Sequence, residues 1–359
     1  MTYGGGMSAY AYAMWLMAES NGLLHFSQTA NMGTTSAVGG NLGVSGETPA
    51  QYLARLANIQ ASNLNVAIIG GTENAGTTVT AGDLQTTFGS IFAGLSGLKR
   101  IFVTPVARTK TVMASPTLIA RADAMDAWFA AASGSYPNVR FLPNAWSGVE
   151  LTTFNGAAWV AGADSYDGIH QNPRGAKEQA ANIWADIVAA GGVPAGDAYS
   201  APYVTNLNSA SAMTGTTGTF TSMTGQLPTG YVGSNTTGAT VAASIVTRDG
   251  RNYIRLAISG TCTTADRVRI RRSITHTHAL GDVFVNMARL KYSASAGGAP
   301  VGLRSIGVIS HSNARWMTAS YADTNGLFAD AGALGERVVR SQANAATAGG
   351  TTYTVDLDI

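Results

Sequence analysis

The first half of the chain alternates short apolar runs with helical patterns, and this alternation constrains the fold more than any other feature of the sequence. The runs are continuous, as strands buried on both faces require; they cover residues 65–70, 100–106 and 138–142. The helical patterns around them cover residues 8–20, 49–61, 83–95, 115–132 and 173–190. Strands and helices in turn predict a parallel sheet covered by helices on both faces, which is the α/β class.

The alternation ends near residue 191, where the sequence GGVPAGDAYSA has the glycine and proline content of a linker. Beyond it apolar and polar residues alternate in short segments, and the Asp249-Gly250 pair is a strong signal for a hairpin turn. Short strands without helices predict a β-sandwich. We therefore expect an α/β domain over residues 1–192, a linker over 193–203 and an all-β domain over 204–359.

Composition excludes several classes of protein. The net charge of +2 offers no electrostatic footprint for nucleic acid or an anionic membrane. No segment approaches the ~20 continuous apolar residues of a membrane span, and the apolar run at residues 7–17 lacks the basic flank of a secretion signal. A single cysteine, Cys262, excludes a disulfide framework within the chain, and the five histidines form no metal-binding pattern. We therefore expect no metal and no membrane or nucleic-acid partner.

The strongest chemical signal is the sequence YDGIH, residues 166–170, on the loop that enters a capped helix. An aspartate three residues before a histidine places both side chains on one side of a single turn. The Asp167 carboxylate can then accept the Nδ1–H of His170, which fixes the tautomer and leaves Nε2 as a general base. The alternative interpretation is a polar helix entrance that carries a surface histidine.

Two glycine-rich loops add a second signal. The sequence NLGVSGET, residues 41–48, precedes a helix, and IGGTEN, residues 69–74, ends an apolar run. Ligands bind at the carboxyl ends of the strands in an open α/β sheet. A glycine N–H and an asparagine amide there can together form an oxyanion hole. Taken singly, each loop is a weak signal, since glycine-rich strand ends are common and are usually only turns.

In this order and spacing, GVSGET, GGTEN and DGIH resemble the second, third and fifth sequence blocks of the SGNH (GDSL) family of serine esterases and acyl hydrolases. The resemblance covers about the first 190 residues and implies a three-layer α/β/α fold of the flavodoxin-like type. It implies Gly46 and Asn74 as oxyanion donors, Asp167 as the orienting acid and His170 as the base. It implies no cofactor.

The chain departs from the family pattern at two places. Strict alignment of the third block puts Glu73 where the family has asparagine; because an ionised carboxylate donates no hydrogen bond, we prefer a one-residue shift to Asn74. The opening residues resemble the continuation of the first block just after its serine, so we expect the nucleophile and the first strand upstream of Met1. The alternatives are Ser8, which also suits a helix N-cap, and a domain that has given up catalysis.

Other polar residues near these blocks have weaker signals. Arg108 and Lys110 follow the second apolar run, where they would either contact substrate or belong to a solvated loop. Asp164 lies close to the Asp-His pair in sequence and is interpreted as part of the loop. His276 and His278 have no third ligand in view and are interpreted as structural.

The second domain begins with a Thr- and Gly-rich segment, residues 206–231, which resembles the β-sandwich modules attached to phage tail and polysaccharide-active esterases. The resemblance implies a jelly-roll similar to carbohydrate-binding modules. Tyr231, Trp316 and Tyr321 are then candidates for stacking on sugar rings; the alternative is that they fill the core. The arginines of residues 267–272 indicate a solvated strand face or a subunit contact.

Together these observations predict an SGNH-type esterase that removes acyl groups, most plausibly O-acetyl groups, from a polysaccharide. The alternative is a glycan-binding or phage tail protein, a structural component of a virion, whose α/β domain is a non-catalytic spacer. Charged residues make up only 12% of the chain and glycine contributes 43 residues, which suits a rigid, exposed particle protein. We therefore expect an extracellular or virion-associated protein, as a homo-oligomer or within a virion assembly.

Overall fold

The computed structural model describes residues 2–3, 6–7, 12–20, 23–24, 47–60, 65–70, 72–191, 212–236, 238–260, 268–278, 283–284, 287–291, 305–310, 315–319, 336–340, 344–345 and 350–358. These residues form two compact units. The first contains residues 12–20 and 47–191, and the second contains residues 6–7, 23–24 and those from 212 onward. The linker expected at 193–203 lies outside the described residues. Helices occur together with parallel and antiparallel sheets, so the chain belongs to the mixed α/β class.

The first unit contains a three-stranded parallel sheet among its described residues. Its strands are β3 (Val66–Ile69), β4 (Arg100–Val103) and β5 (Val139–Phe141), in that order. Each strand lies inside one of the three apolar runs that the sequence indicates. Ile69 pairs with Val103 and Val103 pairs with Phe141, so the three carboxyl ends lie side by side at one edge.

Helices flank the strands of this sheet in the chain. They are α1 (Tyr12–Glu19), α2 (Pro49–Ala54), α3 (Leu56–Gln60), α4 (Ala81–Gly94), α5 (Lys110–Met113), α6 (Pro116–Ala131) and α7 (Pro173–Ala189), with short 3-10 turns at Glu73–Ala75 and Ala132–Gly134. Thr48 and Asn172 cap α2 and α7, each by a side-chain oxygen that accepts a backbone N–H of the first turn. The helix expected over 49–61 divides at Arg55, whose φ of −108° leaves the helical region and whose guanidinium binds Glu47.

Aromatic side chains form much of the core between α4 and α6. Phe92 stacks on Trp128 with ring centroids 5.7 Å apart, and Phe88 meets Phe129 edge-on at 5.0 Å. Such pairs add about 0.5–1.5 kcal/mol to the burial of the rings themselves. This packing holds two long helices against the apolar strands, and Val139 of β5 is fully buried in the same cluster.

A short antiparallel hairpin, β6 (Thr152–Phe154) and β7 (Trp159–Ala161), lies between β5 and α7 in the chain. The Thr152 hydroxyl donates to the backbone oxygen of Arg108 at 3.2 Å, which fixes the hairpin to the loop after β4. The sequence analysis did not predict this hairpin because three-residue strands are too short to show a periodic pattern.

The second unit consists of strands, with no helix among its described residues. Its largest sheet has the order β1-β2-β17-β16-β20-β13-β10-β8; a second has the order β12-β11-β9, and β14-β19 and β15-β18 form separate pairs. The strands are β1 (Thr2–Tyr3), β2 (Gly6–Met7), β8 (Thr219–Thr221), β9 (Thr224–Gly225), β10 (Tyr231–Asn235), β11 (Thr240–Arg248), β12 (Arg251–Ser259), β13 (Val268–His278), β14 (Val283–Phe284), β15 (Met287–Lys291), β16 (Ser305–Ser310), β17 (Arg315–Ala319), β18 (Glu336–Arg340), β19 (Asn344–Ala345) and β20 (Gly350–Asp358).

The hairpin predicted at Asp249-Gly250 is confirmed. Both residues have positive φ, 51° and 73°, as a two-residue turn that matches the strand twist requires. Ile245 pairs with Ile254 across this hairpin. In the largest sheet, Met7 of β2 pairs in parallel with Ala319 of β17.

Candidate active site

Asp167 and His170 lie on the loop between β7 and α7, and their side chains are in direct contact. His170 Nδ1 is 2.7 Å from Asp167 Oδ2. The His170 side chain is 54% exposed and that of Asp167 is 43% exposed. When Nδ1 carries the proton and donates it to the carboxylate, Nε2 is an acceptor that a substrate or nucleophile can reach.

Backbone amides hold the Asp167 carboxylate in place. Its Oδ1 accepts hydrogen bonds from the N–H of Ile169 at 2.8 Å and the N–H of His170 at 2.7 Å. Partial burial opposes ionisation, but the bonds from His170 and Ile169 outweigh it and lower the pKa of Asp167 to about 2. The carboxylate is therefore ionised at neutral pH and can accept the Nδ1–H of His170.

Ser165 organises the same turn from inside. Its hydroxyl donates to the His170 carbonyl oxygen at 2.7 Å and accepts from the N–H of Gly168 at 2.8 Å. It also accepts from the N–H of Asp167 at 3.3 Å. The sequence analysis missed this residue. The signal that could have found it is a serine two residues before an aspartate, a spacing typical of local side chain to backbone turns.

The base of the turn is anchored to α7 through Asp164, whose side chain is 5% exposed. Its carboxylate binds Arg174 Nε at 2.5 Å and accepts the N–H of Glu150 at 2.8 Å. Gly175 permits this approach, since a Cβ there would lie 2.5 Å from the Asp164 carbonyl oxygen. Asp164 therefore belongs to the loop, as expected, and it fixes where the loop enters the helix.

The turn meets the carboxyl edge of the parallel sheet. The N–H of Lys110, which follows β4 in the chain, donates to the Gly168 carbonyl oxygen at 2.8 Å. The loop after β4 thereby contacts the residue that directly follows Asp167. The turn that carries the Asp-His pair is thus joined to the segment that follows β4 in the chain.

Asn74 follows β3 at the same edge, in the 3-10 turn Glu73–Ala75, and its side chain is exposed. The loop after it is held by Arg121 of α6, which donates to the carbonyl oxygens of Gly76 and, at 3.0 Å, Val79. The sequence analysis missed Arg121, because nothing local to it indicates a contact more than forty residues away.

Several candidates cannot be placed at the site. Ser8 and Gly46 lie outside the described residues, as do Tyr321 and the side chain of Glu73. Trp316 lies in β17 opposite Val308, and its side chain is likewise outside the description.

Arg108 is already engaged within the protein. Its guanidinium lies 2.7 Å from a carboxylate oxygen of Asp123 and 2.9 Å from one of Asp126. Asp126 also accepts the N–H of Val106 at 2.7 Å. These contacts brace the loop after β4 against α6, so a substrate contact at Arg108 would have to share or break two ion pairs.

Tyr231 belongs to the core of the second unit, the alternative that the sequence analysis left open. Its ring is buried, and the Arg272 guanidinium lies 5.4 Å from the ring centroid. The buried residues around it are Met223, Leu227, Val241, Ala243, Val268 and Ile270. A sugar could not stack on this ring without opening the core.

The described part of the first unit offers an oriented, exposed imidazole on one loop and an exposed amide on another. Across the residues that the structure describes, no group of three or more His, Cys, Asp or Glu side chains could hold a metal ion. In the same part of the chain, no helix is long and apolar enough to cross a membrane.

Comparison with protein-family models and with curated proteins found no match to this chain.

Proposed function

We propose that this protein is a serine-type carboxylic ester hydrolase of the SGNH kind, which removes acyl groups, specifically O-acetyl groups, from a polysaccharide. The observation that carries the proposal is the 2.7 Å contact between His170 Nδ1 and Asp167 Oδ2. It lies on an exposed turn whose Gly168 carbonyl oxygen accepts the N–H of Lys110, in the segment after β4. An oriented and accessible imidazole of this kind is the general base of acyl transfer.

In the proposed mechanism a serine hydroxyl attacks the acyl carbonyl as His170 Nε2 takes its proton. The ionised Asp167 holds the ring and stabilises the imidazolium. The Asn74 amide and the N–H of Gly46 donate to the oxyanion of the tetrahedral intermediate. His170 then protonates the leaving alcohol, and water releases the acid through the same base. The attacking serine is not among the described residues that this turn contacts, and Ser8 lies outside the described residues.

The finer fold assignments belong to the same proposal. The order β3-β4-β5 and the capped α7 are consistent with a three-layer SGNH domain. The strand-only second unit is consistent with a jelly-roll that binds the glycan and with an extracellular or virion-associated protein. The polysaccharide in the proposed reaction is inferred from these fold assignments by analogy.

The test is hydrolysis of 4-nitrophenyl acetate by the protein, by His170→Ala and by Asp167→Asn. We expect His170→Ala to abolish turnover and Asp167→Asn to lower kcat by about 10³–10⁴, because the ring loses its orienting carboxylate. His276→Ala is the matched control, since it removes an exposed histidine of β13 in the second unit. The protein is assayed as residues 1–359 and with any residues that its gene encodes before Met1.

A covalent probe supplies a second readout. A fluorophosphonate that reacts with activated serines should label the protein in a His170-dependent way, and mapping the labelled peptide identifies the nucleophile. Absence of both labelling and turnover, together with glycan retention that His170→Ala leaves intact, would instead support the non-catalytic glycan-binding alternative.

A further inference from the structure

Lys110 lies against the turn that holds Asp167 and His170. It is the first residue of α5, and its N–H donates to the Gly168 carbonyl oxygen at 2.8 Å. Gly168 has a φ of 83°, the left-handed conformation that favours glycine. This backbone bond fixes the start of the Lys110 side chain beside the Asp-His pair.

The Lys110 side chain then runs along Gly168. A Cβ built on Gly168 would lie 2.9 Å from Lys110 Cδ and 3.1 and 3.2 Å from its Cβ and Cγ. The stem thus occupies the space that any larger residue at position 168 would need. Since only Cε separates Cδ from the ammonium nitrogen, the positive charge is carried on this side of the turn.

No carboxylate neutralises this ammonium within the part of the chain that the structure describes. The neighbouring cation Arg108 differs, because it pairs with two aspartates. Asp167, the acid within the turn, is within salt-bridge distance of His170 but not of Lys110. Lys110 is half-buried, so its charge lies in surroundings where an anionic partner gains more than it would in open solvent.

We propose that Lys110 binds a carboxylate of the substrate and thereby selects esters carried on anionic, uronate-bearing glycans. This substrate class rests on the proposed function. Of the two cations that follow β4, Lys110 is then the specificity-determining one, and Arg108 keeps the loop in place.

The first measurement is binding, which does not depend on turnover. The probes are an acetylated oligogalacturonide and the same oligosaccharide with its carboxylates converted to primary amides, titrated calorimetrically into His170→Ala. We expect the anionic probe to bind about tenfold more tightly, the magnitude of one charge-assisted hydrogen bond. Adding Lys110→Met should abolish this preference, and adding Lys110→Arg should retain most of it.

The matched control is Lys99→Met, since Lys99 is an exposed lysine at the amino end of β4, the opposite end from Lys110. It should keep the full preference for the anionic probe. The same preference should appear in kcat/KM for acetate release by the His170-intact protein, as a change in KM more than in kcat.

The outcomes separate the two proposals. Esterase activity without a Lys110-dependent preference for the anionic probe would overturn the assignment of Lys110 and leave the hydrolase standing. Lys110-dependent binding of the anionic probe without any His170-dependent turnover would uphold the anion site and overturn the proposed reaction. If the parent protein binds the anionic and the amidated probe equally well, as Lys110→Met is expected to do, the anion site is overturned whether or not the protein is an esterase.

Discussion

Asp167 retains its charge to a pH at which an ordinary aspartate is protonated, and this makes its contribution to stability depend on pH. The bonds from His170 and Ile169 lower the pKa of Asp167 from 3.8 to about 2. Between these values the unfolded chain binds more protons than the folded one, so stability falls as the pH falls. The contribution is fully present above about pH 4 and is lost towards pH 2.

Asp167→Asn removes this titration. We expect the difference in unfolding free energy between the parent and Asp167→Asn to shrink as the pH falls from 4 towards 2. Urea unfolding followed by tryptophan fluorescence measures it. A difference that stays constant down to pH 2.5 would show that the carboxylate is not held by these bonds.

Ser165 holds the turn that carries Asp167 and His170. Ser165→Ala removes the three hydrogen bonds of its hydroxyl and leaves the N–H of Gly168 without its partner. We expect a loss of about 1–3 kcal/mol in unfolding free energy and a fall in kcat with little change in KM. Ser90→Ala is the control, because the exposed Ser90 hydroxyl bonds only within its own helix. An unchanged kcat for Ser165→Ala would leave Ser165 with a purely structural role.

At the scale of elements, the start of α7 controls how the loop that carries Asp167 and His170 enters the helix. Asn172 caps α7 by accepting the N–H of Gly175 at 3.0 Å, and its amide also donates to the Ala163 carbonyl oxygen at 2.8 Å. The residue therefore joins the cap to the chain before the loop.

The two roles of Asn172 can be separated by substitution. Asn172→Ala removes both bonds and should cost about 1–2 kcal/mol. Asn172→Asp keeps the capping oxygen but cannot donate to Ala163, so we expect it to cost less than Asn172→Ala. Urea midpoints of the two variants test this order, and equal midpoints would mean that the cap contributes nothing beyond the bond to Ala163.

The elements that were predictable from sequence are those with a long or local signal. The runs that became β3, β4 and β5 are apolar throughout, and the pair Asp167 and His170 is close in sequence, so their contact follows from a single turn. The division at Arg55 was not predictable, because it accompanies a side-chain bond to Glu47. The contacts of Arg121 were not predictable either, because the carbonyl oxygens that it binds, in the loop after Asn74, are distant in sequence.

At the scale of the whole molecule, each unit has a hydrophobic core of its own. Phe92 is fully buried in the core of the first unit, and Leu227 is fully buried in the core of the second. The first unit also carries Asp167 and His170. Neither core includes a residue of the other unit among the described residues. Damage to one core should therefore act first on the properties of its own unit.

Phe92→Ala and Leu227→Ala test this separation as a matched pair. Each truncation should lower stability by about 2–5 kcal/mol, because it leaves a cavity in a packed interior. Phe92→Ala should lower the temperature at which the proposed esterase activity is lost, since Asp167 and His170 are carried by the first unit. Leu227→Ala should leave that temperature unchanged and instead destabilise a β-rich transition seen by circular dichroism. If Leu227→Ala lowers the inactivation temperature as much as Phe92→Ala, the two units unfold together, and the chain behaves as one cooperative structure.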